Sequence, residues 1–256
     1  MIALVDGTLT SSLPVDDPLL LGGLGVYEAL RTYRGRPFAV EAHFERLHES
    51  ARWCGLRCPD PVTFAAELDA VAEAVPGEST LLVTLTPGGH RVVQARRFDA
   101  SRVGRPVRLA TLHFEAPAAL PGWVKHTSRG AWEAAARRAG VDELLFVGAD
   151  GTWTETSRSN LWVVRGGVLC TPAAGGRILA GVTRATLLAI AEALGLRVRE
   201  EPVLPGPADE LYVSSTLKEL APVAAIDGVP GPGWGPVGRV LAAALPVHAA
   251  DDPPPG

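Results

Sequence analysis

A segment built from proline, alanine and glycine, Glu115-Ala-Pro-Ala-Ala-Leu-Pro-Gly122, interrupts the chain near its middle. Its prolines fix φ and remove backbone donors, and its small side chains offer little to a core, so it reads as a linker rather than a strand or helix. In a chain of 256 residues it leaves two pieces of roughly 100 to 150 residues, an ordinary size for a domain. Residues 1–115 are expected to form a small N-terminal α+β domain, 116–122 the linker and 123–248 a larger domain. The tail 249–256, ending Asp-Asp-Pro-Pro-Pro-Gly, is expected to be disordered.

Before the linker, residues 2–5 and 26–33 have strand patterns, 42–53 has the periodicity of an amphipathic helix, and 63–74 that of a second helix. Strands are expected again at 80–86 and 107–114. After the linker come a helix at 128–139, strand pairs at 144–147 and 161–164, a helix at 183–194 and a strand at 211–214. Strands that do not alternate regularly with helices make this an α+β chain, and no internal repeat is visible.

The net charge of -4 is mild and the arginines are scattered, which argues against a nucleic-acid stripe or a basic membrane helix and leaves small molecules as the expected partners. The apolar runs at 18–24 and 187–196 are broken well short of a membrane span, and no signal peptide is expected. Cys54, Cys58 and Cys170 are an odd set without a CxxC pair, which fits a reducing cytoplasm, buried thiols and no metal site, although Cys54 and Cys58 could share a helix face.

Only two of the 24 basic residues are lysines, Lys125 and Lys218. An arginine stays protonated, whereas a partly desolvated lysine loses its proton and attacks an aldehyde, so a retained lysine invites a chemical explanation. Composition alone is equally satisfied by a depleted codon set. Lys125, in Trp123-Val-Lys125-His126, has the stronger chemical claim; Lys218 reads as a solvated charge.

Five stretches accompany it. Gly151-Thr-Trp-Thr-Glu155-Thr-Ser-Arg-Ser-Asn160 is a turn rich in hydroxyls with one carboxylate. Leu179-Ala-Gly181-Val182-Thr183-Arg184 opens a helix whose first N–H groups could hold an anion, and Ser214-Ser215-Thr216 ends a strand in a small-hydroxyl turn suited to phosphate oxygens. His43-Phe-Glu-Arg46-Leu47 lies on a helix, and Gly25-Val-Tyr27-Glu28-Ala-Leu-Arg31 begins a strand. Each stretch alone has a structural explanation.

Together, in this order and over residues 26–228, they resemble the fold-type IV pyridoxal-phosphate enzymes, the family of branched-chain aminotransferases, D-amino-acid aminotransferases and aminodeoxychorismate lyases. The resemblance implies an α/β sandwich as the small domain, a pseudo-barrel as the larger, cofactor-binding one, and a homodimer. It implies that Lys125 forms the internal aldimine with pyridoxal 5'-phosphate and shuttles a proton, and that Glu155 pairs with the pyridine nitrogen. Arg46, the N–H groups of Val182 and Thr183, and Ser215 with Thr216 are implied to hold the phosphate; Leu179 packs on the ring, and Asn160 completes the cofactor set.

The family's reactions divide on finer signals. Ser214-Ser-Thr-x-x-Glu219-x-x-Pro222-Val resembles the aminotransferases, especially the D-amino-acid type, as does Tyr27, which there faces the substrate. Lys125-His126-x-x-Arg129 resembles the lyase. The longer motif favours amino transfer between an amino acid and a 2-keto acid, with 4-aminobenzoate and pyruvate formation as the alternative. Leu24 replaces the acidic residue expected before Val-Tyr-Glu, Pro87-Gly-Gly-His90-Arg91 replaces the D-amino-acid type's Arg-x-His clamp, and Gly130 stands where branched-chain enzymes carry a tyrosine. His90, Arg91 and Arg129 are the candidates for the substrate carboxylate, and Tyr27 is a further substrate candidate. A cofactor-binding protein without catalysis and an α+β binding module without a cofactor are the readings outside this class, and the intact Lys125 and Glu155 argue against both.

Overall fold

The computed structural model describes residues 1–251, and its backbone divides into two units. The first holds Met1–Ala100, Val124–Arg129 and the described residues from Ala249 onward; the second holds Ser101–Trp123 and Gly130–His248.

The first unit runs β1 (Ile2–Val5), β2 (Thr8–Leu9), α1 (Leu19–Gly22), β3 (Val26–Tyr33), β4 (Arg36–Pro37), α2 (Val40–Cys54), α3 (Pro61–Glu73), β5 (Ser79–Leu85) and β6 (Arg91–Arg97). Its sheet has the order β2-β1-β6-β5-β3-β4, with every pairing antiparallel. The period of two decides the faces of β3: Val26, Glu28 and Leu30 are fully buried, while Tyr27 and Ala29 between them are half-buried. On α2 the buried residues Val40, His43, Leu47 and Ala51 recur at helical spacing and form one stripe. Gly55, at φ 66°, stops that helix in the left-handed region. Asp60 then starts α3 by accepting the Thr63 N–H at 2.9 Å, with Pro61 in the first turn. Cys54 is therefore the last residue of α2 and Cys58 lies past its stop, so the two share no helix face; both are free thiols.

The second unit runs β7 (Val107–His113), α4 (Gly130–Ala139), β8 (Glu143–Val147), β9 (Trp153–Thr156), β10 (Asn160–Arg165), β11 (Val168–Thr171), α5 (Val182–Ala193), β12 (Val198–Glu200), β13 (Glu210–Ser215), β14 (Glu219–Ile226), β15 (Val229–Pro230) and α6 (Pro236–Ala250). Six of its strands close a barrel in the order β10-β13-β14-β7-β8-β9, and the Asn160–Glu155 pairing completes the ring. The pseudo-barrel implied by the sequence is present, and β9 stands between the strands expected at 144–147 and 161–164. Alternation fills its inside with Leu109, Leu145, Leu161, Val163 and Val213. The outward residues Trp162 and Tyr212 pack with Leu187 and Ile190 of α5 and Leu241 and Leu245 of α6. Each such buried side chain stabilises the fold by about 1.5–3 kcal/mol.

The units divide the chain differently from the single linker expected at 116–122. β7, read with the N-terminal domain, pairs in parallel with β8 and β14 and belongs to the barrel. Val124–Arg129, read with the larger domain, joins the first sheet: Val26 bridges His126, and the Tyr27 N–H donates to the Lys125 carbonyl at 3.1 Å. The cause is an edge left open where β4 covers only the far end of β3, so its backbone groups take another partner. Of the tail expected to be disordered, Ala249 and Ala250 end α6 and Asp251 pairs with Arg34 at 3.5 Å; residues 252–256 lie outside the described residues. Among the described residues no helix is long and apolar enough to cross a membrane.

Candidate active site

In the first unit, Lys125 sits where the returning segment meets the start of β3. Its N–H donates to Ser50 Oγ at 3.1 Å, and Thr127 locks the same junction through Gly25, donating N–H to its carbonyl at 2.9 Å and accepting its N–H on Oγ1 at 2.7 Å. Lys125 Nζ lies 4.9 Å from the centroid of the Tyr27 ring, and Arg129 Nη1 donates to the Tyr27 hydroxyl at 2.5 Å. Burial depresses the Lys125 amine below the ordinary lysine range; Tyr27 and Glu28 oppose that shift, and Arg46 and Arg129 reinforce it. Burial alone would raise the Tyr27 phenol, but Lys125 and Arg129 outweigh it and bring the phenol below its usual value. His126 is pushed down to about 4, chiefly by burial and then by Arg129 and Lys125, so its imidazole is neutral at pH 7.

Behind this amine, the candidate Arg46 is held from α2 by a buried carboxylate. Arg46 Nε and Nη2 donate to the two oxygens of Glu28 at 2.7 Å each, and His43 Nδ1 lies 2.6 Å from Glu28 Oε2. Burial opposes ionisation of Glu28, yet Arg46 and His43 hold it well below the usual carboxylate range. Burial likewise keeps His43 below its ordinary value despite Glu28, which makes neutral His43 a donor through Nδ1. Glu28 and His43 stood in two of the stretches picked out from the sequence, but neither was given a role there. The available signal was a carboxylate at a core-facing position of β3, between Val26 and Leu30.

In the second unit, one end of the barrel gathers the other candidates. Glu155 closes β9 against Asn160 of β10, and Glu155 Oε2 accepts the Asn160 amide at 3.2 Å and the Leu179 N–H at 3.1 Å. Asn160 Nδ2 also donates to the Leu179 carbonyl at 3.0 Å, so carboxylate, amide and the loop before α5 form one hydrogen-bonded unit. Gly181 caps α5 with no side-chain bond, leaving Val182 and Thr183 at a helix N-terminus suited to an anion. A Cβ on Gly181 would lie 1.9 Å from Asn160 Oδ1, so this packing requires glycine. Ser215 and Thr216 stand half-buried in the turn between β13 and β14, while Ser214, buried on the same strand face as Tyr212, accepts Trp162 Nε1–H at 2.8 Å. Lys218 is not the solvated charge expected from the sequence, because its ammonium pairs with the buried carboxylate of Glu143.

Taken unit by unit, the donor types suit pyridoxal phosphate: the first unit carries an amine of depressed basicity, the kind that reacts with an aldehyde, and the second a fixed carboxylate and a helix N-terminus with two hydroxyls, the kinds that suit a pyridine nitrogen and a phosphate.

The substrate candidates separate. Tyr27 and Arg129 join Lys125. Arg91 pairs with Leu85, which pairs with Val26, so alternation puts it on the sheet face opposite Tyr27. There it donates to both oxygens of Glu67 on α3, at 2.5 and 2.6 Å, and His90 Nδ1 meets Asp6 at 2.7 Å. His90 and Arg91 line a cavity of ≈ 470 Å³ with Asp6, Arg57 and Cys58. Neither joins the lysine cluster, and Cys58, raised to about 11 by burial, offers no thiolate.

The family profile of class IV amino-transferases matches residues 25–226. The chain belongs to this family and is an aminotransferase. A probable branched-chain-amino-acid aminotransferase from Thermotoga maritima is 30% identical over 211 residues, covering 77% of this chain and 76% of that protein. The branched-chain-amino-acid aminotransferase of Escherichia coli K12 is 26% identical over 243 residues, covering 81% and 77% respectively. The PLP-bound structure of a hypothetical aminotransferase from Mycobacterium tuberculosis superposes with a TM-score of 0.87 at 25% identity, over 99% of this chain and 100% of that one.

Proposed function

We propose that this aminotransferase holds pyridoxal 5'-phosphate, acts as a homodimer, and transfers the amino group of an amino acid to a 2-keto acid. The observation that carries the reading is Lys125: one of two lysines in the chain, half-buried, with its amine depressed by burial and set over the Tyr27 ring. The bound cofactor supplies an electron sink for the substrate Cα. Lys125 Nζ is the group that would hold the cofactor's aldehyde and carry the proton at the substrate Cα; a depressed pKa serves both tasks because each needs the neutral amine. Arg46, the Val182 and Thr183 N–H groups, Ser215 and Thr216 bind phosphate, with Glu28 fixing the plane of the Arg46 guanidinium. Glu155, oriented by Asn160 and Leu179 N–H, keeps the ring nitrogen protonated. Leu179 covers the ring, and Tyr27 with Arg129 meets the substrate carboxylate. The net reaction exchanges an amine and a ketone between two acids and needs no further oxidant.

The sequence Lys125-His126-x-x-Arg129 supports a second reading, the lyase that yields 4-aminobenzoate and pyruvate. One experiment separates the two. The protein loaded with pyridoxal phosphate is mixed, without a keto acid, with L-leucine, L-glutamate, D-alanine, D-glutamate or aminodeoxychorismate, and its visible absorbance is followed. Stoichiometric conversion to pyridoxamine phosphate and a keto acid is the expected result, and the reactive enantiomer gives the handedness. Catalytic release of 4-aminobenzoate with no pyridoxamine form would replace the transaminase reading with the lyase.

A further inference from the structure

The chain's other lysine has no place in that chemistry, yet it is tied to the same end of the barrel. Lys218 occupies the turn between β13 and β14, two residues after Thr216, and its N–H donates to the Ser215 carbonyl at 3.2 Å. Its ammonium reaches Glu143 at the head of β8, a carboxylate only 1% exposed. Glu143 also accepts the Thr156 hydroxyl and, at 3.2 Å, that of Ser159. Thr156 directly follows Glu155, Ser159 directly precedes Asn160, and Thr156 N–H closes their loop onto the Ser159 carbonyl at 2.8 Å. One buried carboxylate therefore joins the turn carrying Ser215 and Thr216 to the loop that sets Glu155 and Asn160.

The strand ladder brings turn and loop to the same barrel end, since Asn160 pairs with Ser214 on one side and Glu155 on the other. β14 bonds to β13, β7 and β15, whereas β8 bonds to β7 and β9, so the Lys218–Glu143 pair adds a side-chain tie between strands that are not ladder neighbours. A buried ion pair is a poor source of stability, because desolvation of both charges offsets their attraction. It is effective at fixing geometry, since an ammonium and two hydroxyls converging on one carboxylate tolerate few arrangements. A turn already fixed loses less entropy when its hydroxyls close on a ligand.

We infer that Lys218 is a positioning residue, latching the Ser215–Thr216 turn through Glu143 so that its hydroxyls are preorganised for the cofactor's phosphate; this rests on the pyridoxal-phosphate reading. The test compares apo wild type with Lys218→Met, Lys218→Arg and the double variant Lys218→Met/Glu143→Gln. Dissociation constants are measured by absorbance titration for pyridoxal phosphate and for pyridoxal, which lacks the phosphate, alongside apo thermal midpoints. Lys218→Met is expected to weaken pyridoxal phosphate about tenfold while leaving pyridoxal unchanged, and Lys218→Arg to recover most of the loss. Lys218→Met leaves a buried charge unpaired, so the double variant, which removes both charges, guards against simple misfolding. It should melt like wild type and still show the phosphate-specific loss. A wild-type preference for pyridoxal phosphate over pyridoxal in the double variant would overturn the inference, as would equal weakening of the two ligands. Wild-type protein that binds neither aldehyde would overturn the cofactor reading itself, and this role with it.

Discussion

At the scale of the residue, the chemistry depends on how charge is arranged around Lys125. Tyr27 raises the basicity of the amine while burial, Arg46 and Arg129 lower it. Tyr27→Phe removes an opposing influence, so the rate at which apo protein captures pyridoxal phosphate should reach its midpoint at lower pH than in wild type. A midpoint that stays put or moves to higher pH contradicts the assignment. Glu28 offers a test through stability. Its folded pKa is depressed, so its contribution is present above its unfolded value of about 4.3 and is lost as pH falls through the folded one. Glu28→Gln leaves Arg46 without its buried counter-charge and should cost about 3 kcal/mol at pH 7, read from urea unfolding. That deficit should shrink below about pH 4, where the unfolded wild-type chain takes up a proton that the native carboxylate does not, so wild type loses stability.

At the scale of the element, the start of α5 shows how packing turns an ordinary helix terminus into a binding feature. Asn160 Oδ1 occupies the space that a Cβ on Gly181 would need, while its amide holds Glu155 and the Leu179 carbonyl. Gly181→Ala should displace that amide and weaken pyridoxal phosphate about tenfold or more, with about 1–3 kcal/mol lost from the fold. Titration together with a thermal melt reads both, and undiminished affinity would mean that the Asn160–Glu155 unit does not orient the cofactor. Strands and helices with clean periodicity were legible at this scale: β3 runs over 26–33 as expected, and His43 and Arg46 lie on a helix as expected. α6 was not recognised, because Pro246 lies inside it and prolines crowd the approach from Pro230 to Pro236. β14 was missed because Pro222 stands within it.

At the scale of the whole molecule, binding and folding are linked. Pyridoxal phosphate at one hundred times its dissociation constant should stabilise the native chain by about 2.7 kcal/mol. For a protein of this size that corresponds to a rise in thermal midpoint of roughly 5–10 °C. Lys125→Ala should lose most of that rise while melting near wild type when apo, since removal of a half-buried amine with depressed basicity relieves a desolvation cost. An equal rise in the variant would show that attachment through Lys125 contributes nothing to cofactor affinity. The domain boundary also belongs to this scale. Composition marked 116–122 as a linker, a stretch that lies inside the second unit, and did not indicate the sheet that receives β7 or the segment Val124–Arg129, because a strand's partner is chosen by open edges distant in sequence.

The sequence by itself determined the α+β class, most of the regular elements, the family and the likeness of Lys125, Glu155 and the phosphate-binding turns to the family's functional residues, since each rests on local periodicity or on residue type at short spacing. Tertiary structure alone decided that the barrel closes through Asn160 and Glu155, that Arg46 is gripped by Glu28, that Arg91 turns to Glu67 on the face away from Tyr27, and that Lys218 pairs with Glu143. In each of these cases a charged or polar group is matched to a partner 5 to 75 residues away in sequence. The match follows from burial, which makes an unpaired charge costly and leaves the fold to supply whichever counter-group lies within reach.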